Sequence, residues 1–404
     1  MTVVESYDRS PIQNLVSCLA LKPEKLIIVG DMKSMQKSVA VYKKVLCSQK
    51  LKTKVVPLHI NTDNLQSAKK VLEKIVQEEK NCIFDLCGGD GLISAAAGMV
   101  YEENKDTRSV SLHEMNFQTG NPIDLDGDGS VPKAFPINLT IKEFIELCGG
   151  SVTEQTELDT SLSTSDIEPL WRGIKNNALD WNKKIGLLCR FEKYAVKNHL
   201  TFTVSTANLG GIIENLSLRF EEFKDIIDKL QTLNILKIKS KTDTEIKYTY
   251  NNQIYYNCVR KEGNTLEHKT YLEARDYLCA GKKAFCDVKM SVKIDWDGIV
   301  HSERFKDISN EIDVMAMHGI TPVFISCKNG DIEEEFYKLN VVAERFGSGI
   351  AKKVLIATNY NPENQGVKET KALRAKEMGI IFEPDAADLD HIGWQNLFKK
   401  ILET

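Results

Sequence analysis

The sequence predicts an α/β protein built on two unlike sheets, an N-terminal parallel sheet wound with helices and a C-terminal mixed sheet. Three observations predict it. Short apolar runs alternate with amphipathic stretches up to about residue 150; a segment rich in serine, threonine and acids, without aromatics, follows; and two β-branched runs lie close together near the C-terminus, ahead of further helix and strand patterns. With 404 residues the chain has room for two or three domains. The divisions fall at residues 1–150, 151–169 (a solvated linker), 170–258 and 259–404.

In the first segment Val3-Val4, Leu26-Ile27-Ile28-Val29, Lys54-Val55-Val56-Pro57-Leu58 and Cys82-Ile83-Phe84-Asp85-Leu86 read as strands separated by crossover helices. Such a sheet is parallel and covered on both faces, and ligands bind beyond the carboxyl ends of its strands. Three loops fall there: Tyr7-Asp8-Arg9-Ser10-Pro11, Gly30-Asp31-Met32-Lys33-Ser34 and Cys87-Gly88-Gly89-Asp90-Gly91. No G-x-G-x-x-G or P-loop is present, so the set is not a dinucleotide or nucleoside-triphosphate fingerprint. Asp124-x-Asp126-x-Asp128-Gly129 copies the first half of a calcium loop, but Phe135 occupies the twelfth position and prolines flank it. A polar hairpin turn, in a strand pair from about Ser109 to Val131, is the better reading.

From Trp171 to Leu236 the pattern is helical, and Ile246–Tyr250, Asn251-Asn252 and Ile254–Tyr256 read as a hairpin. Residues 170–258 are then either a winged-helix-like unit or the front of the last domain, and Tyr248, Tyr250, Tyr255 and Tyr256 pack the hairpin or stack on bases. Beyond them, Phe285–Trp296 reads as a strand, followed by Asn310–Val314, Pro322–Asn329, a helix over Ile332–Phe346, and strands at Ala351–Ala357 and Gly379–Phe382. Arg345, Lys352, Lys353 and Arg374 offer a basic rim or solvated helix faces.

The chemistry concentrates in Asn310-Glu311-Ile312-Asp313-Val314 and Pro322-Val323-Phe324-Ile325-Ser326-Cys327-Lys328-Asn329-Gly330. Side chains alternate along a strand, so Ser326 and Lys328 share a face, as Glu311 and Asp313 do. If the faces coincide, carboxylates and an ammonium meet over one patch of sheet. Hard cations such as Mg2+ or Mn2+ take oxygen ligands and keep several waters, so one or two carboxylates hold them against a phosphate. Asp313 and Lys328 supply the parts of a metal-assisted phosphodiesterase. Glu267, near a helix start, offers a further carboxylate, although Asn264-x-x-Glu267 also has the form of a capping box.

Asp313 followed by Ser326-x-Lys328, with a helical Glu267 before them, resembles the PD-(D/E)xK restriction-endonuclease-like core. The wording Glu-Ile-Asp-Val, then Phe-Ile-Ser-Cys-Lys-Asn-Gly, is similar to CRISPR ancillary nucleases that carry an N-terminal CARF domain. Ile312-Asp313 stands at the motif's Pro-Asp and Ser326 at its second acid. The resemblance implies catalytic Glu267, Asp313 and Lys328, with metal held by Glu267, Asp313 and the Cys327 carbonyl. Glu311, Ser326 and Glu335 are auxiliary candidates, and the resemblance implies that Glu267, the Cys327 carbonyl or a migrated acid such as Glu311 or Glu335 compensates for the acid absent at Ser326. The first segment resembles the CARF variant of the Rossmann-like fold, which implies that Asp8, Arg9, Ser10, Gly30, Asp31, Lys33, Cys87, Gly88, Gly89 and Asp90 meet a cyclic oligoadenylate across a homodimer. Here Asp90 and Gly91 replace the hydroxyl and basic residues often found after the Gly-Gly. The two resemblances together imply a cyclic tetra-adenylate-activated, metal-dependent endonuclease of type III CRISPR antiviral defence, acting on single-stranded RNA or DNA or nicking duplex DNA. A CARF-type transcription regulator without catalysis, and a stand-alone repair or restriction nuclease, are the alternatives.

Composition fits a globular chain, 42% hydrophobic and 27% charged. A formal net charge of -4 leaves no global basic footprint, so nucleic-acid binding needs a local patch. No apolar run reaches membrane-span length, and Met1–Glu5 opens a strand rather than a signal peptide. Ten cysteines without a close C-x-x-C suit a reduced, cytoplasmic setting rather than a zinc site or disulfide frame.

Overall fold

The computed structural model describes the chain except residues 118–119, 128–132, 211–212, 300–308, 330–331, 348 and 359–364. Asp128, Gly129 and Val131 of the polar turn, and Gly330 of the second motif run, lie outside the described residues.

The first unit is β1 (Thr2–Ser6), α1 (Val16–Leu21), β2 (Lys25–Gly30), α2 (Met32–Ser48), β3 (Lys54–His59), α3 (Leu65–Glu78), β4 (Cys82–Asp85), α4 (Gly91–Asn104), β5 (Val110–Asn116) and β6 (Asn121–Asp124). Its sheet runs β3-β2-β1-β4-β5-β6, parallel throughout except for β6. Both faces are covered, which is why its strands are continuous apolar runs. Val3, Leu26 and Ile83 pack toward α1 and α2, while Val4, Ile27 and Phe84 pack toward α3 and α4. Chain order reverses between β1 and β4, so the loops after these strands open on the switch point.

The segment expected to be a linker is partly sheet. After α5 (Ile141–Leu147), β7 (Ser151–Thr156) pairs antiparallel with a later strand as the sheet's edge. Its side chains are mostly exposed and polar, as at an unpaired edge, and that composition is what a solvated connector also has.

The middle segment comprises α6 (Glu168–Asn176), α7 (Ala178–Glu192), β8 (Val196–Asn198), β9 (Thr201–Ser205), α8 (Leu216–Thr232), β10 (Leu236–Lys241), β11 (Glu245–Tyr250) and α9 (Gln253–Val259), with a sheet ordered β10-β11-β9-β8. The hairpin partner of β11 is therefore β10, not residues 254–256. Asn252 does not turn a hairpin: its side chain accepts the Tyr255 N–H at 2.8 Å and caps α9. Tyr248 and Tyr250 are buried and donate their hydroxyls to Glu192 Oε1 at 2.7 and 2.6 Å, so neither is free to stack on a base.

Burial pushes the Glu192 carboxyl up to about 7, against the pull of the two tyrosine hydroxyls. An acid raised in the folded state adds stability below its unfolded pKa, and loses it as pH rises through the folded value. The window here runs from roughly 4.5 to 7. Glu192→Gln keeps an acceptor oxygen without the charge, so its melting temperature should gain on the wild type between pH 5 and 8. Parallel melts over that range check this; curves that stay parallel would place the titration elsewhere.

The last unit holds α10 (Asn264–Asp276), a short hairpin of β12 (Leu278–Cys279) and β13 (Lys282–Lys283), β14 (Asp287–Asp295), β15 (Ser309–His318), β16 (Thr321–Lys328), α11 (Glu333–Phe346), β17 (Lys352–Ala357), α12 (Gln365–Glu377), β18 (Ile380–Glu383) and α13 (His391–Glu403). The sheet is mixed, β18-β17-β16-β15-β14-β7, with β16, β17 and β18 parallel. Helices α10 and α13 share a core with Val314, Ile325 and Cys327; α11 and α5 share the other with Met315, Phe324 and Leu355. That second core continues into α1 and α2, so the two sheets are bound through α5. Glu143, in a capping box with Thr140, accepts from Ser48 Oγ and, at 2.8 Å, from Gln49 Nε2 at the end of α2. The Ile141 N–H donates to Asp287 in β14 at 2.9 Å.

Candidate functional site

Strands β15 and β16 pair antiparallel from His318↔Thr321 to Val314↔Ile325, and there the ladder stops. The next residue of β15 is Asp313. Its carboxylate takes over where the backbone ladder ends, accepting the Cys327 N–H at 2.7 Å and Ser326 Oγ at 3.1 Å. Ser326 Oγ also reaches Glu335 Oε2 on α11 at 3.1 Å, and Lys328 Nζ lies 3.4 Å from Glu335 Oε1. Ser326 and Lys328 thus share the α11 face, as alternation requires, while Cys327 turns inward to Thr270 of α10.

Glu311 and Asp313 are not related by simple alternation. Ser291, opposite Asp313 between the pairs Met290↔Val314 and Val292↔Ile312, has φ 50°. Across this kink the faces exchange: Met290 and Val314 pack with α10, but Val292 and Ile312 pack with α11. Glu311 thereby lines a cleft of ≈ 110 Å³ with Glu267 of α10, beside Asn264 and His268. The capping-box reading of Glu267 does not hold. Gly263, at φ 90°, is the N-cap of α10, no side chain caps the helix, and the Asn264 amide donates instead to the Asn257 carbonyl at 2.9 Å.

The electrostatics suit a cation. Burial pushes the Glu267 carboxyl up to about 7; Asp313 and Glu311 add to the rise, and Lys261 and Lys328 oppose it. Burial also raises Asp313, in spite of the Cys327 N–H, Lys328 and Ser326. Glu335 behaves differently: burial pulls it upward, but Lys328, Lys338 and Ser326 outweigh that and hold it below the ordinary range. Two neighbouring carboxylates raised together mark negative charge that a proton or a cation must relieve. Among the described residues no three His, Cys, Asp or Glu side chains form a ready-made metal cluster. Magnesium needs fewer, since it binds through one or two carboxylates and retains water. Glu267 and Asp313 fit that demand. His268 stays neutral, pushed down to about 4 by burial, with Nδ1 2.6 Å from the Asn264 carbonyl.

At the other sheet, most of the loop residues singled out in the sequence are engaged within the fold. Asp8 accepts from Ser10 N at 2.7 Å and from Gly89 N at 2.8 Å, bracing two loops together. Asp31 and Asp90 cap α2 and α4. Cys87 Sγ accepts the Met115 N–H at 2.9 Å. Gly89 has φ 89°, and a Cβ there would stand 2.7 Å from the Ser6 carbonyl; one on Gly88 would meet Gln13, and one on Gly30 would meet Tyr7. Arg9 and Lys33 are exposed, and Ser10 Oγ has no hydrogen-bond partner. Arg9 and Lys33 are the exposed cations of the set, while Ser10 Oγ is buried.

Beneath these loops lies a cluster that sequence reading missed. Glu5 and Asp85 are register partners on β1 and β4, both buried. Ser17 Oγ donates to Asp85 and lies 3.1 Å from His113 Nε2. Burial, then Asp85, raises the Glu5 carboxyl well above its ordinary value. Acids inside otherwise apolar strands were the available signal. Three residues of the expected basic rim are engaged within the fold: Arg345, though exposed, donates to the Cys148 and Trp296 carbonyls at 2.8 and 3.1 Å, Lys353 to Asn340 at 2.7 Å, and Arg374 pairs with Glu333.

Neither a family model nor a curated protein matches the sequence. Solved structures do resemble the fold. Protein VC1899 from Vibrio cholerae is 14% identical with a TM-score of 0.70, the match covering 100% of this chain and 97% of that one. Can2 from Sulfobacillus thermosulfidooxidans, solved in complex with cyclic tetra-adenylate, is 14% identical with a TM-score of 0.65, again covering 100% and 97%. At such identity the likeness establishes a shared two-sheet fold along the whole chain.

Proposed function

We propose that the chain is a cyclic oligoadenylate-activated, metal-dependent endonuclease of type III CRISPR defence, with cyclic tetra-adenylate as activator, acting in the cytoplasm as a homodimer. One observation carries the catalytic half: the β15–β16 ladder opens at Asp313, and around that opening stand Glu267, Lys328, Glu335 and the Cys327 backbone. A divalent cation held by Glu267, Asp313 and the Cys327 carbonyl would lower the pKa of a water and offset phosphoryl charge. Lys328 orients the attacking water and supports charge building on the phosphate. Glu335 holds Lys328 and Ser326, supplying from α11 the acid that β16 lacks.

The fold that Can2 shares was solved with cyclic tetra-adenylate, which supports the sensing half. So does the connection between the sheets. Helix α2 starts at the Asp31 loop and ends on Glu143 of α5, α5 is tied to β14, and β14 pairs with the strand that bears Asp313. A ligand that holds the loops in one arrangement more tightly than another therefore acts on the catalytic strand through packed elements. The dimer is supported by α4, whose buried side carries Ile93, Ala96, Ala97 and Val100, while the exposed side of its first two turns carries Gly91, Ala95 and Met99, with charge only at Glu102 and Glu103 near its end. No helix among the described residues is long and apolar enough to cross a membrane.

The test is incubation of labelled single-stranded RNA, single-stranded DNA and plasmid with Mg2+ or Mn2+, with and without cyclic oligoadenylates. Cutting that needs both metal and activator is expected; absence of cutting under every condition refutes the reading. Arg9→Ala and Lys33→Ala should each raise the half-activating concentration of cyclic tetra-adenylate about three- to tenfold, most steeply at low salt, with the maximal rate unchanged. An unaltered midpoint in the double variant would move the activator site elsewhere.

A further inference from the structure

We propose that Arg260 and Lys261, in the turn between α9 and α10, form a phosphate subsite that holds the backbone of a single-stranded substrate beside the catalytic carboxylates. The inference rests on the nuclease reading and identifies where that nuclease grips its substrate. Both side chains are exposed and line the same ≈ 110 Å³ cleft as Glu267 and Glu311. Neither is committed to an ion pair among the described residues, whereas Arg374 pairs with Glu333, and Arg345 and Lys353 are held by a backbone carbonyl and the Asn340 amide oxygen. Lys261 lines the cleft together with Glu267 without closing a salt bridge on it.

The cleft's size and chemistry fit one phosphate. With roughly 30 Å³ per water, it has room for three or four waters or the phosphate that replaces them. A polyanion approaching Glu267 and Glu311 is repelled unless cations stand at the same mouth. Arg260 and Lys261 are the cations of this cleft. Arg260 brings a planar fork suited to two phosphate oxygens, and Lys261 a point charge. Contacts of this kind position the strand without reading its bases, so the subsite serves any sequence.

The experiment uses the full chain with cyclic tetra-adenylate and fluorescent single-stranded RNA and DNA 20-mers. In an Asp313→Asn background, which retains substrate, Arg260→Ala and Lys261→Ala should each weaken binding about three- to tenfold. Each should also lower the slope of log affinity against log salt by about 0.7, the loss of one phosphate contact on a single strand. With Asp313 intact, KM should rise while kcat stays within about twofold, and Lys261→Arg should restore KM. Unchanged affinity, slope and KM in the double variant, with the wild type cutting and Asp313→Asn inert, overturns the subsite and leaves the nuclease standing. A wild type that neither binds nor cuts either oligonucleotide overturns both.

Discussion

Asp313→Asn should reduce phosphodiester cleavage by a factor on the order of 10³, with the melting temperature and activator affinity close to wild type. Asparagine is the sharper replacement because its amide oxygen can still accept the Cys327 N–H. Alanine would leave that buried donor unpaired at a cost of about 1–3 kcal/mol, mixing a folding defect with the chemical one. Lys328→Met should cut activity by about 10²–10³ for a different reason, losing the charge that supports the transition state. Lys328 is half-buried and its ion pair is with Glu335, so that substitution also frees Glu335 to rise toward its ordinary value. Single-turnover cleavage rates, read beside thermal melts and activator binding, separate these effects. Wild-type rates in either variant would remove the proposed site.

How far the site was legible in the sequence depends on what each residue does. Asp313, Ser326 and Lys328 could be placed because alternation along β16 and proximity along the chain bring them together, and both are local. Glu335 was visible only as an acid in a later helix, since its meeting with Ser326 depends on how α11 lies across the sheet. The face exchange at Ser291 was not legible. A serine within an alternating strand carries no mark of a positive φ, and the kink changes which side Glu311 serves. The same limit explains the fold errors. Polar β7 is an edge strand supported from one side, so its composition matches a linker. Asn251-Asn252 looked like a turn because asparagine favours turns and helix caps for the same reason, a side-chain oxygen that meets nearby backbone N–H groups. The parallel sheet was clear from its continuous apolar strands. Glu5 and Asp85, standing inside those runs, were the exceptions that announced a buried polar cluster.

Gly89→Ala should destabilise the first unit by about 2–5 kcal/mol, a large part of the roughly 5–15 kcal/mol typical of a whole domain. Two contributions add. At φ 89° a side chain carries a backbone penalty of roughly 1–2 kcal/mol. A Cβ would also stand 2.3 Å from Ser6 Cβ and 2.7 Å from the Ser6 carbonyl, and overpacking of that kind costs about 1–3 kcal/mol. The loop cannot easily yield, because Asp8 grips the Gly89 N–H and Ser6 Oγ the Asp90 N–H. Glycine is therefore demanded here by the fold itself, whatever the loop binds. Hydrogen exchange gives the cleanest readout, since Trp171, Trp181, Trp296 and Trp394 all lie outside this sheet and fluorescence would miss the change. Protection in β1 and β4 should fall while that in β16 and β17 persists. Adding Ser6→Gly removes the side-chain clash but neither the φ penalty nor the carbonyl contact, so it should recover only part of the loss, with a coupling energy of about 0.5–3 kcal/mol. Full protection in Gly89→Ala would mean that the loop relaxes without cost, and the bracing of β1 against β4 by Asp8 and Ser6 would lose its energetic meaning.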